Sequence, residues 1–148
     1  MEASFSDRIT VNSYDGEGVR RLVESGTWFV GIKNYKPAND VAEFCCLEKH
    51  LLTDEVFVLL QGRCVLLVDV APDGSGCDLR CIPMERGKVY CIRPGVWHNT
   101  IVSRDVKLVL IENQNTAAEN SPLFNLSEAQ IEKVRAELRS KHFGPGLP

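Results

Sequence analysis

The stretch EKHLLTDEVFVLLQG, Glu48 to Gly62, decides how this chain is read. Glu48, His50 and Glu55 carry metal-ligating side chains, and an apolar run of strand-forming residues follows them at once. If FCCLEKH is extended, its side chains alternate: Cys46, Glu48 and His50 point one way, Cys45, Leu47 and Lys49 the other. LLTD then bends the chain, with Asp54 as a strand-entry residue. Glu55 opens the next strand on a face continued by Phe57 and Leu59. A carboxylate above an apolar floor fits the mouth of a barrel. Much further along, His98 follows the turn RPGVW and meets the first group only if the fold closes on itself.

Outward from that stretch, short segments rich in β-branched and aromatic residues recur between Gly, Pro, Asn and Asp: RITV, TWFVGIKNY, AEFCCLEKH, RCVLLVDV, DLRCIPM, KVYCIRP, HNTIVS and KLVLIEN. This is an all-β pattern, with APDGSG as a loop, QGR as a tight turn at Gly62 and RPG as another. VFVLL and KLVLIE are apolar on both faces, so their outer face needs a cover: another sheet, the terminal segments or a second subunit. A homodimer is the expectation.

LSEAQIEKVRAELRSK is the one strong helix signal. Ser127 caps, Gln130 completes a capping box, Leu126 and Ile131 form a hydrophobic staple, and Ile131, Val134 and Leu138 follow helical spacing. The tail from His142 reads as loose. The 148 residues fit a single domain, residues 1–148, with a barrel core over residues 27–113 and a helix over 127–141.

Composition removes several classes. The net charge is -3 and the charges are mixed, so no basic stripe offers a footprint for nucleic acid or an anionic membrane surface. The longest aliphatic runs are far too short to span a bilayer, and the N-terminus has no signal-like stretch; a cytoplasmic protein is expected. The six cysteines read as reduced core thiols. Cys77 and Cys81 lack a second pair or a nearby histidine for a structural zinc site. DGEGVRR lacks the context of a phosphate loop, and neither strand-borne histidine has a serine elbow.

The spacing His50, four residues, Glu55, six residues, Gly62, then Gly87, seven residues, Gly95, two residues, His98, resembles the two motifs of the cupin superfamily. The motifs span about a third of the chain, and the TDEVFVLL and GVWH runs are similar to those of a group of small single-domain bacterial cupins. The resemblance implies a double-stranded β-helix, or jelly roll, that binds a divalent metal. His50 matches the second histidine of the first motif, Glu55 its glutamate and His98 the histidine of the second motif. Four positions depart: Glu48 replaces the first histidine, Ala42 the opening glycine, Pro94 sits one place late, and Val102 replaces the closing asparagine.

Glu48 is the departure that touches the chemistry. If it is not a ligand, His50, Glu55 and His98 form a two-histidine, one-carboxylate set with open positions, suited to iron(II) and related ions. If it is a ligand, the site favours a harder ion such as manganese or iron over copper. Glu48 is otherwise a carboxylate orienting His50, or a general base. The ion expected is a divalent transition metal: Fe, Mn, Zn or Ni. Phe57, Tyr90 and Trp97 read as core aromatics. The function implied is that of an enzyme on a small organic molecule in the barrel, as a sugar or keto acid isomerase or lyase, or as an oxygenase. The alternative is a binding or sensor module with a vestigial or structural metal site.

Overall fold

The computed structural model describes residues 8–143. Its strands are β1 (Val19–Ser25), β2 (Trp28–Asn34), β3 (Cys46–Glu48), β4 (Glu55–Gln61), β5 (Cys64–Asp69), β6 (Leu79–Pro83), β7 (Val89–Ile92), β8 (His98–Val102), β9 (Lys107–Asn113) and β10 (Leu123–Asn125), followed by helix α1 (Glu128–Ser140). They form two five-stranded antiparallel sheets, ordered β1-β2-β9-β4-β7 and β10-β3-β8-β5-β6. From β6 onward each successive strand crosses to the other sheet, which closes the pair into a jelly-roll barrel.

Two apolar cores result, one on each face of the second sheet. Phe29, Phe57, Leu59, Leu66, Val102, Leu108 and Leu110 fill the barrel between the sheets. Val65, Leu67 and Ile101 point the other way and pack under α1 against Val134, Leu138 and Leu47. The helix begins where the spacing predicts: Ser127 Oγ accepts from Gln130 N at 3.2 Å, and Gln130 Oε1 accepts from Ser127 N at 2.9 Å. Gln130 also donates from Nε2 to Gly76 O at 3.0 Å, and Arg135 donates to the carbonyls of Val41 and Ala42.

Several expectations need correction. RITV is not a strand, because nothing among the described residues pairs with it; the first strand among them is VRRLVES, whose exposed, charged face hid it from a hydrophobic reading. The sheets therefore run from 19 to 125, beyond the expected 27–113. Cysteines are not all in the core: Cys64 and Cys81 are buried, Cys46 is half-buried, and Cys45, Cys77 and Cys91 are exposed. The tail is fixed as far as Phe143, which is buried in the helix-side core beneath Arg63, while His142 is exposed. The rest of the expected loose tail, 144–148, lies outside the described residues. Trp97 belongs to the helix-side core with Phe124, whereas Phe57 and Tyr90 face the barrel.

Candidate metal centre

Strand ends build the site. β3 finishes at Glu48, β4 begins at Glu55 and β8 begins at His98, so three ligating residues stand at one end of the barrel. Glu48 lies directly opposite His98 in the ladder. Asn99 reinforces this short pairing by donating from Nδ2 to Cys46 O at 2.8 Å, and Asn39 donates to Asn99 Oδ1 at 3.0 Å. The loop carrying His50 is tied down from two sides. Its carbonyl accepts from Gly95 N at 2.8 Å, and Asn113 N donates to Thr53 Oγ1 at 2.9 Å. Gly95 adopts φ +80°, a left-handed conformation that glycine enters without a Cβ penalty. Asp54 stays on the rim, 3.0 Å from Arg93.

The four residues singled out by spacing come together: one ligating atom from each of Glu48, His50, Glu55 and His98 lies within 4.8 Å of the others. The three at matched positions are buried, His98 to 1 % exposure, and Glu48 is half-buried. Two further residues join them. Glu112 Oε1 lies 3.2 Å from His50 Nε2, and Ser121 Oγ lies 2.7 Å from His50 Nδ1. Strand alternation in KLVLIEN puts Glu112 on the inward face with Leu108 and Leu110, a signal available in the sequence. Ser121 arrives from a distant loop and carries no such signal.

Hydrogen bonding at His98 bears directly on what the site holds. Its Nδ1 lies 2.9 Å from the carbonyl of Val96, which can only accept, so Nδ1 carries a proton. A neutral imidazole then presents a bare Nε2, and that atom stands 2.5 Å from Glu55 Oε2, another acceptor. At that separation the two share a proton, which a metal ion bound by both would displace. His50 adds a second case: Nε2 is shielded from solvent, 3.5 Å from Glu55 Oε2, and makes no hydrogen bond of proper geometry. Two inward imidazole nitrogens beside carboxylates, with one ring oriented through its other nitrogen by a carbonyl, fit a divalent transition metal.

The carboxylates are driven apart electrostatically. Burial would raise Glu55, but its close contacts with His50 and His98 and the charges of His98 and Lys33 outweigh it and hold the carboxyl well below the usual range. Glu112 is pushed up to about 8, first by burial and then by the charge and proximity of Glu55. For His50, burial works to lower the imidazole, but contact with Glu55 and the charges of Glu55, Glu112 and Glu48 leave it raised.

No protein-family model matches the sequence, and neither does any curated protein. Solved structures do resemble it. A Bacillus halodurans protein is 19% identical over 68% of this chain and 73% of its own, with a TM-score of 0.54. A cupin-2 domain protein from Shewanella frigidimarina is also 19% identical, over 76% of this chain and 95% of its own, with a TM-score of 0.50. Streptomyces Pac13, solved with uridine, is 11% identical over 82% of this chain and 98% of its own, with a TM-score of 0.52. With its two crossed sheets and the mouth formed by the ends of β3, β4 and β8, the chain has the cupin fold.

Proposed function

We propose that the protein is a metal-dependent enzyme that moves a proton next to a carbonyl of a small organic molecule at the barrel mouth, as isomerases and lyases of sugars or keto acids do. The observation that carries this is the gathering of one ligating atom from each of Glu48, His50, Glu55 and His98 within 4.8 Å of one another, with His50, Glu55 and His98 buried. His50, Glu55 and His98 are the ligands proposed, with Glu48 able to join them. A divalent Fe, Mn, Zn or Ni ion there supplies Lewis-acid or oxygen-activating chemistry.

The three carboxyl groups divide the remaining work. Glu55, held ionised by the histidines, is a poor proton carrier. Glu112, raised by burial and by the charge of Glu55, is the carboxyl best placed to hold a proton and donate it. Glu48 is the most open of the three and is the general base proposed. The same fold is used for dehydration in Pac13, a nucleoside dehydratase. The test is proton NMR in D2O of metal-loaded protein with aldoses and 2-oxo acids. Exchange of the proton beside the carbonyl is expected in wild type and lost in Glu48→Gln, with metal retained. Exchange that survives Glu48→Gln removes its assignment as base, and oxygen uptake without exchange points to an oxygenase.

A second reading, a binding or sensor module with a structural ion, is favoured by one observation. The three proposed ligands are buried, and Ser121 closes over His50, as in sites where an ion is held for structure. Metal that resists exchange, together with ligand binding but no turnover, distinguishes it.

We further propose a homodimer formed through the outer face of the first sheet. Val23, Val30, Ile111, Val56 and Cys91 lie side by side in one row across all five strands, and Ile32, Val109, Val58 and Val89 in the next. Helix α1 covers the other sheet, so this face has no cover among the described residues. A second copy would bury both rows. Sedimentation equilibrium is expected to give a dimer, and Val58→Lys a folded monomer; a monomeric wild type would end the idea. The six free thiols support a reducing compartment, the cytoplasm. Among the described residues no helix is long and apolar enough to cross a membrane.

A further inference from the structure

One charged side chain inside the barrel has no place in the chemistry above. Lys33 faces inward from β2, on the same face as Phe29 and opposite Leu108, and only 4 % of it is exposed. Among the described residues no oxygen atom partners its ammonium, which instead lies 5.4 Å from the centre of the Phe57 ring. Phe57 is two residues along β4 from Glu55 on the same face, and Lys33 is level with Leu59, two residues further, so its ammonium lies inside the barrel below the metal centre. Its charge reaches Glu55, helping to hold that carboxyl down.

A lysine this deeply placed, with its nitrogen beside a ring rather than a carboxylate, is a feature that folding alone does not call for, because a methionine would fill the same space. Such a group is typical of a site that waits for an oxygen ligand. Charge constrains what that ligand can be. Glu48 and Glu55 already place two carboxylates at the same end of the barrel, where a divalent ion would balance them. One ammonium beside them can balance a single negative charge, and a phosphate dianion would leave the second unpaired.

We propose that Lys33 is a specificity-determining residue that pairs with the carboxylate of the substrate, so that the site takes a small carboxylic acid bearing a carbonyl, rather than a neutral sugar or a phosphate ester. This rests on the metal-dependent reading above and narrows its substrate class to 2-oxo acids. The metal end of the barrel engages the carbonyl side of the molecule, and Lys33 its acid group.

The test is isothermal titration of manganese-loaded full-length protein with pyruvate, its neutral isostere pyruvamide, and inorganic phosphate, with metal content measured on each sample. Pyruvate is expected to bind at least about thirtyfold tighter than either of the others, the loss typical of an unpaired buried charge. Lys33→Met is expected to erase that preference while keeping its manganese and melting no lower than wild type, and Lys33→Arg to restore part of it. Equal affinity for pyruvate and pyruvamide in wild type, a preference for phosphate, or unchanged pyruvate affinity in Lys33→Met would each overturn the proposal; the first two need no variant to fold. Failure of wild type to hold manganese is a separate result, read from metal content alone, that removes the metal reading and this one with it.

Discussion

His98→Ala should leave the chain folded and nearly free of metal. Wild type, purified without a histidine tag or chelator, is expected to carry about one transition-metal ion per chain, because a buried donor set of this kind binds tightly once its ligands are deprotonated. His98 contributes a nitrogen whose orientation is fixed through Val96 O, and alanine removes both the donor and the partner of Glu55. Changing a residue that merely orients a ligand costs about 10- to 100-fold in affinity, so loss of a ligand itself should cost at least that much. Elemental analysis of wild type beside His50→Ala and His98→Ala reads the effect, and circular dichroism confirms the fold. Equal metal in wild type and His98→Ala would sink the ligand assignment. Glu48→Ala should lose less; complete loss there would make Glu48 a full ligand.

Replacing Glu112 by glutamine should make the metal-free protein more stable, and increasingly so as the pH rises. In the folded chain this carboxyl keeps its proton up to about 8 against an ordinary value of 4.5. The unfolded chain therefore binds fewer protons between those values, and stability falls as pH rises through the interval. Each pH unit costs about 1.4 kcal/mol, which amounts to about 3 kcal/mol at pH 7. His50 acts in the same direction, since a raised imidazole stabilises below its unfolded value and loses that contribution as pH rises through the folded one. Glu55 is opposite: its depressed carboxyl stabilises above the unfolded value and fails only in acid. Glutamine keeps the shape of Glu112 without the charge, so Glu112→Gln should melt about 5–10 °C higher at pH 7.5 in the presence of chelator. Its melting temperature should also fall less between pH 6 and 8. A lower melting temperature than wild type at pH 8 would contradict the assigned electrostatics.

The sequence made parts of this site legible because their signals are local. His50, Glu55 and Gly62 lie within one strand and its approaches, and Gly95 and His98 within one turn, so spacing alone places them. The capping box at Ser127 and Gln130 is readable for the same reason: both partners lie in one helical turn. Glu112 was within reach too, since alternation places it inward with Leu108 and Leu110, but it follows an apolar run and has no motif neighbour. Ser121 was beyond reach, because its contact with His50 spans 71 positions and depends on how a loop returns over the mouth. Strand β1 failed for a different reason. Its stability comes from pairing with β2 rather than from burial, so its sequence looks like a charged loop.

All five residues of β8 are buried, with His98, Thr100 and Val102 in the barrel and Asn99 and Ile101 turned toward the opposite side. The strand that supplies a proposed ligand thus also contributes Ile101 to the apolar core beneath α1. If the proposed ion is held there, its retention and the docking of the helix share this strand and should be coupled. A weakened α1, as in Leu138→Ala, would be felt as faster metal release some distance from any ligand, and metal binding would in turn slow amide hydrogen exchange in the helix.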